Sequence, residues 1–69
     1  MKYVIWFDSL IVENNSGYFF RKRKEGFTSV HSPDRARLYK TRQTAARMLA
    51  RLNADEGDYY KFEIREVAV

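Results

Sequence analysis

A chain of 69 residues with a formal net charge of +4, no cysteine and a single histidine is sized for one hydrophobic core, and it lacks disulfides and a structural zinc site as braces. A domain this small hides only about 60% of the surface of its unfolded chain, so stability must come from aromatic packing or from self-association. Five Tyr, five Phe and one Trp can supply the first of these. Met1 and Lys2 run directly into Tyr3–Phe7 with no signal-peptide core, and no stretch approaches the roughly 20 apolar residues of a membrane span. A cytoplasmic protein without membrane contact is the expectation.

From the N-terminus, Lys2 to Phe7 alternates, with Tyr3, Ile5 and Phe7 on one face and Val4 and Trp6 on the other; a β-branched and aromatic run of this kind reads as a strand inside a sheet. Leu10 to Val12 either continues it past a bulge at Asp8 and Ser9 or opens a new strand. Asn14, Asn15, Ser16 and Gly17 supply turn chemistry. Tyr18 to Arg23 is the return strand, Lys24-Glu25-Gly26 a second turn, and Phe27 to Val30 a short third strand. Ser32-Pro33-Asp34 reads as a single helical turn capped by Ser32. Thr41 is the stronger cap, because Ala45, Met48, Leu49 and Leu52 follow at i, i+3, i+4 and i+7 on one face of a helix ending near Ala54–Gly57. Tyr60, Phe62 and Ile64 alternate with Lys61, Glu63 and Arg65 as a last strand with one buried and one wet face. Val67 and Val69 take the opposite phase, which suggests a bulge or a frayed edge. The expected fold is therefore α+β: a three- to four-stranded antiparallel sheet with one α-helix packed on one face, in β-β-β-α-β order over a single domain, residues 1–69.

Chemistry is sparse on the catalytic side. One histidine, no thiol and scattered carboxylates do not make convergent reactive groups, so neither an enzyme nor a cofactor is expected. His31 beside Ser32 and Asp34 reads as part of a capped turn. Asp55, Glu56 and Asp58 lack the alternating ligands of a calcium loop, so no metal is expected there.

Charge segregation is the more informative signal. Arg35, Arg37, Lys40, Arg42, Arg47 and Arg51 fall between residues 35 and 53 without an acid, and Asp55, Glu56 and Asp58 follow at once. Arg47 and Arg51 lie one turn apart on the solvent side of the helix, with no acid spaced to pair with either within the helix. Arg42 enters the first turn, where the helix dipole disfavours a cation, with Lys40 and Arg37 just before it. An anion would relieve that arrangement, phosphate being the commonest. Arg21, Lys22, Arg23 and Lys24 form a second basic group directly after Tyr18, Phe19 and Phe20, a composition akin to base-stacking platforms, although core packing accounts for the aromatics as well. The candidate anionic-partner site is thus Arg37, Lys40, Arg42, Arg47, Arg51, Arg21, Lys22, Arg23 and Lys24. A solvated helix face serving solubility is the plain alternative.

The order strand Tyr3–Phe7, then Ala36-Arg37-Leu38-Tyr39-Lys40-Thr41 leading into Thr44-Ala45-Ala46-Arg47-Met48-Leu49-Ala50-Arg51-Leu52, then strand Tyr60–Val67, resembles small proteins encoded by bacteriophages and mobile elements, in which an apolar-Lys-Thr step caps a short helix between strands. The resemblance spans most of the chain and carries over no ligand residue. It implies a non-enzymatic inhibitor or accessory factor that docks on a host protein or protein–nucleic acid complex, such as a restriction or CRISPR nuclease, through the basic helix face. The alternative is direct binding of DNA or RNA through the same helix and hairpin. Two-fold self-association over an open sheet face is compatible with either.

Overall fold

The computed structural model describes residues 1–68. Its elements are β1 (Lys2–Ser9), β2 (Ser16–Lys22), β3 (Phe27–Val30), a 3-10 turn (Pro33–Arg35), α1 (Arg42–Glu56) and β4 (Tyr60–Val67). The four strands form one antiparallel sheet in the order β3-β2-β1-β4, and α1 packs across β1 and β4. The expected α+β architecture and element order hold.

β1 is one of the two central strands, and both of its faces are apolar. Val4 and Ile5 are fully buried and Phe7 nearly so, as expected for a strand flanked on both edges. It pairs with β4 from Lys2↔Val67 to Ser9↔Tyr60 without a register shift, so Val67 continues the strand and needs no bulge. Val69 lies outside the described residues. Leu10–Val12 is neither a continuation of β1 nor a strand. The Ser9 hydroxyl accepts hydrogen bonds from the Ile11 and Val12 amides at 3.2 and 3.0 Å, which turns the chain out of the sheet. Asn14 then takes a left-handed φ of 60°, a region that asparagine enters more readily than most residues.

β1 carries no register shift at Asp8 and Ser9 against β4; the register shifts instead in β2, between Phe19 and Arg21. Its consequence is large, since a bulge bends and twists its strand. Although β3 and β4 are opposite edges of the sheet, the Phe27 ring of β3 sits 5.2 Å from Tyr60 and 5.6 Å from Phe62 of β4, and 5.0 Å from Phe7 of β1. The β2–β3 hairpin therefore curls over the same face that α1 covers. Gly17 permits the curl: a Cβ there would meet the Val30 carbonyl oxygen at 3.0 Å and the Phe7 ring at 3.4 Å. At the hairpin tip Gly26 has φ +91°, and the Arg23 amide donates to its carbonyl.

Ile5, Phe7, Phe19, Leu52 and Phe62 form the core under helix and hairpin, with Phe27, Tyr39, Met48, Leu49 and Tyr60 packed against it. Each fully buried large side chain contributes about 1.5–3 kcal/mol. On α1 the expected inward face holds, with Ala45 and Leu52 buried and Met48 and Leu49 half-buried. Thr41 caps as expected, its side chain accepting from the Thr44 amide at 3.2 Å. Ser32 does not cap its turn. Its hydroxyl donates to the Asp34 carboxylate, which holds that carboxyl below its ordinary value of 3.8.

Between β2 and the start of β1 the strands part, and Ala36–Lys40 fills the gap. Tyr3 and Tyr39 exchange two backbone hydrogen bonds of 2.9 Å, and the Arg37 amide donates to the Phe19 carbonyl at 3.0 Å. This wedge ties the approach to α1 onto the two central strands, and it positions the basic residues described next.

Candidate nucleic-acid interface

The wedge delivers Arg37 and Tyr39 to the edge of the bent hairpin. A hollow of about 290 Å³ opens there, lined by Phe19, Phe20, Arg21, Lys22, Arg37, Tyr39 and Met48. The two basic groups of the sequence, one before the helix and one on the hairpin, thus meet in a single place. A second, more open depression at the hairpin tip is lined by Arg21, Arg23, Lys24 and Glu25, so Arg21 belongs to both.

The arginines share a second property. Arg21 lies over the Phe20 ring at 5.8 Å, Arg37 over Tyr39 at 5.7 Å and Arg42 over Tyr3 at 5.6 Å. Tyr3 and Tyr39 are bridge partners, so the three stacks run as a strip from the first residue of α1, across the wedge, to the hairpin. Each stack is worth roughly 0.5–1 kcal/mol at an exposed site. It also limits the rotamers of a long side chain while leaving the outer side of the guanidinium free. Burial raises the Tyr39 phenol above its ordinary 10.0, and the charge of Arg37 partly opposes that rise, so Tyr39 remains neutral beneath the cation at physiological pH.

Other expected site residues are placed less uniformly. Lys22 is withdrawn: its ammonium pairs with Asp55 at 3.2 Å, its side chain only 14% exposed, and donates to the Arg23 and Gly26 carbonyls. It pins the curled hairpin to the end of α1, and among the expected site residues it is the one held in an ion pair. The same pair corrects the reading that no helical acid is spaced for Arg51. Asp55 stands four residues on, at ion-pair spacing, but its carboxylate is engaged by Lys22. Arg23, Lys24, Lys40, Arg47 and Arg51 are exposed and do not line the hollow beside the helix. Among the described residues the ion pairs are Lys22–Asp55 and Glu63–Arg65.

α1 is charged against its own dipole at both ends. Its first turn has no acid and its last turn no base; Arg42 opens it, and Asp55 and Glu56 close it. Each mismatch costs about 0.3–1 kcal/mol. The positive potential of the N-terminus adds to that of Arg42, Arg37 and Lys40, which leaves the molecule basic at the start of the helix and acidic at its end.

One stack escaped the sequence reading. Arg65 lies over Trp6 at 4.1 Å, held by Glu63, whose Oε1 accepts from its Nε at 2.9 Å and its Nη2 at 2.6 Å. Alternation had put Glu63 and Arg65 on the wet face of β4, but only the register, which sets Trp6 directly opposite Glu63, brings them onto the tryptophan. Tyr3 and Tyr39 were likewise invisible as supports for arginines, because the bridge between them joins segments far apart in the chain.

Among the described residues no group of three or more His, Cys, Asp and Glu is arranged to hold a metal ion, and no helix is long and apolar enough to cross a membrane. Fold and site together define a small α+β domain with an arginine-aromatic surface. Comparison with protein-family models, with curated proteins and with solved structures returned no match to the chain.

Proposed function

We propose that this is a non-enzymatic binding protein whose arginine strip holds the phosphates of a nucleic acid. The observation that carries the reading is the meeting of Arg21 and Arg37 at one hollow, continued by Arg42, with each arginine over a ring and outside the ion pairs of the described residues. Guanidinium groups offer planar forks to phosphate oxygens. Held in place by stacking, they lose less freedom on binding than mobile side chains would. Lys40, Arg47, Arg51, Arg23 and Lys24 add field around the strip. Contacts of this kind fix position on the backbone and read little sequence.

A second reading, an inhibitor or accessory factor of the phage type that docks on a host protein or a protein–nucleic acid complex, draws on a different surface. Leu10, Ile11 and Val12 are 60%, 69% and 56% exposed beside Tyr59 at 52%. Such an apolar tip has the anchor chemistry of a protein interface.

Titration of labelled DNA and RNA oligonucleotides at low and near-physiological salt tests the first reading. Three phosphate contacts at about −0.9 each give a slope of about −2.7 in log affinity against log salt for a duplex. A folded Arg21→Glu, Arg37→Glu variant should lose most of that slope. Absence of binding at low salt would overturn the reading and move the function to the apolar tip.

A further inference from the structure

The sheet face opposite α1 carries the Arg65–Trp6 stack. Cross-strand pairing puts Tyr18 of β2 directly beside Trp6 of β1 and Glu63 of β4 on its other side. Trp6, Tyr18 and Glu63 are half-buried and Arg65 is exposed. At 4.1 Å the guanidinium carbon is much closer to its ring than in the other three stacks, as expected for a planar group lying on the indole. Both hydrogen bonds from Arg65 go to one carboxylate oxygen of Glu63, which fixes the plane. That contact also makes the guanidinium hold its proton more tightly. The result is a flat, cationic surface with one side on tryptophan and the other toward solvent.

We propose that this stack is a base platform: an unpaired base of a single-stranded nucleic acid lies on the outer side of the Arg65 guanidinium, sandwiching it against Trp6. Bases stack on arginine planes as they do on aromatic rings. Only an unpaired base can do so, hence the commitment to a single strand. The inference rests on the phosphate-binding reading of the strip and deepens it, with β2 as the element that the two surfaces share. Tyr18 lies two residues from Phe20 and three from Arg21 on β2, the strand that carries the strip's hairpin end. Lys2, Lys61 and Arg65 on this face exceed Asp8 and Glu63 in charge, so the backbone of the strand meets cations on either side of the stack.

Trp6 is the one tryptophan in the chain, so its emission reports the platform directly. The experiment titrates the protein with a short oligothymidylate and with a duplex of the same length at equal salt, following label anisotropy and Trp6 emission together. The single strand should bind at least about fivefold more tightly, from one stacked base, and Trp6 emission should change with the same midpoint. Arg65→Lys, which keeps the charge and removes the plane, should abolish the preference and leave duplex binding unchanged. Equal binding of strand and duplex with unchanged Trp6 emission would overturn the platform while leaving the strip intact. No binding of either at low salt would overturn both. If Arg65→Lys fails to fold, the strand-against-duplex comparison and Trp6 emission of the unaltered protein decide.

Discussion

The aromatic residues of this protein divide into two populations. Phe7, Phe19, Phe27, Tyr60 and Phe62, under the helix and hairpin, pack edge-on or tilted against one another at 5.0–6.1 Å. Tyr3, Trp6, Phe20 and Tyr39 instead each carry an arginine, and no residue belongs to both groups. Ring–ring contacts exclude water and hold a small core together. Ring–arginine contacts leave a charged plane facing outward. The difference separates rings that pack on one another from rings that carry a charged plane, Tyr39 among the latter also packing against the core, and it predicts that the two groups will fail differently when altered.

The largest effect is expected in the first population. Phe19 is 1% exposed, and Phe19→Ala should cost about 3–5 kcal/mol by urea unfolding, most of the stability a domain of this size has. Its neighbour Phe20, 42% exposed, should cost less than about 1 kcal/mol as Phe20→Ala while weakening oligonucleotide binding. Equal costs for the pair would erase the distinction. Next in size is Thr41→Ala, which removes the cap that starts α1 beside the strip. About 1 kcal/mol should be lost, visible as a lower urea midpoint.

Arg42→Glu sharpens the comparison, because here stability and binding are set against each other. Relief of the helix dipole, about 0.3–1 kcal/mol, offsets loss of the Tyr3 stack, about 0.5–1 kcal/mol. Stability should stay within about 0.5 kcal/mol while oligonucleotide affinity falls. A large stability loss would mean that Arg42 serves the fold. The smallest effect is a pH dependence. The Tyr39 phenol is raised above 10.0 by burial, so its neutral form is favoured by folding. That contribution is fully present below 10.0 and is lost as pH rises through the folded value. Unfolding midpoints measured in alkaline buffer should fall less for Tyr39→Phe than for the unaltered chain.

Much of the fold was legible in the chain because its elements obey single periods. Lys2–Phe7 and Tyr60–Ile64 follow directly from alternation, the inward face Ala45, Met48, Leu49 and Leu52 from helical spacing, and Thr41 from its position before them. What depended on contacts between distant segments was not legible. No local pattern reveals that the bulge lies in β2 and carries Phe27 across to β4, or that Tyr3 bridges Tyr39. Three of the four stacks were half visible: Arg21, Arg37 and Arg42 were named as cations, but the rings beneath Arg37 and Arg42 follow from the wedge. Arg65 was missed because its role needs the β1–β4 register. The pairing of Lys22 was not legible because charge alone does not distinguish a cation facing solvent from one turned onto Asp55.

Phosphate binding by the arginines held on rings at the bent hairpin and helix start is open to one direct measurement. Side-chain NMR of the arginine Nε–H groups, recorded while an oligonucleotide is added at low salt, tests it most directly. The account predicts that the Arg21, Arg37 and Arg42 resonances shift together with one midpoint, while backbone amides of Leu10, Ile11 and Val12 stay in place. Arginine resonances that do not move, with shifts confined to that apolar tip, would contradict it.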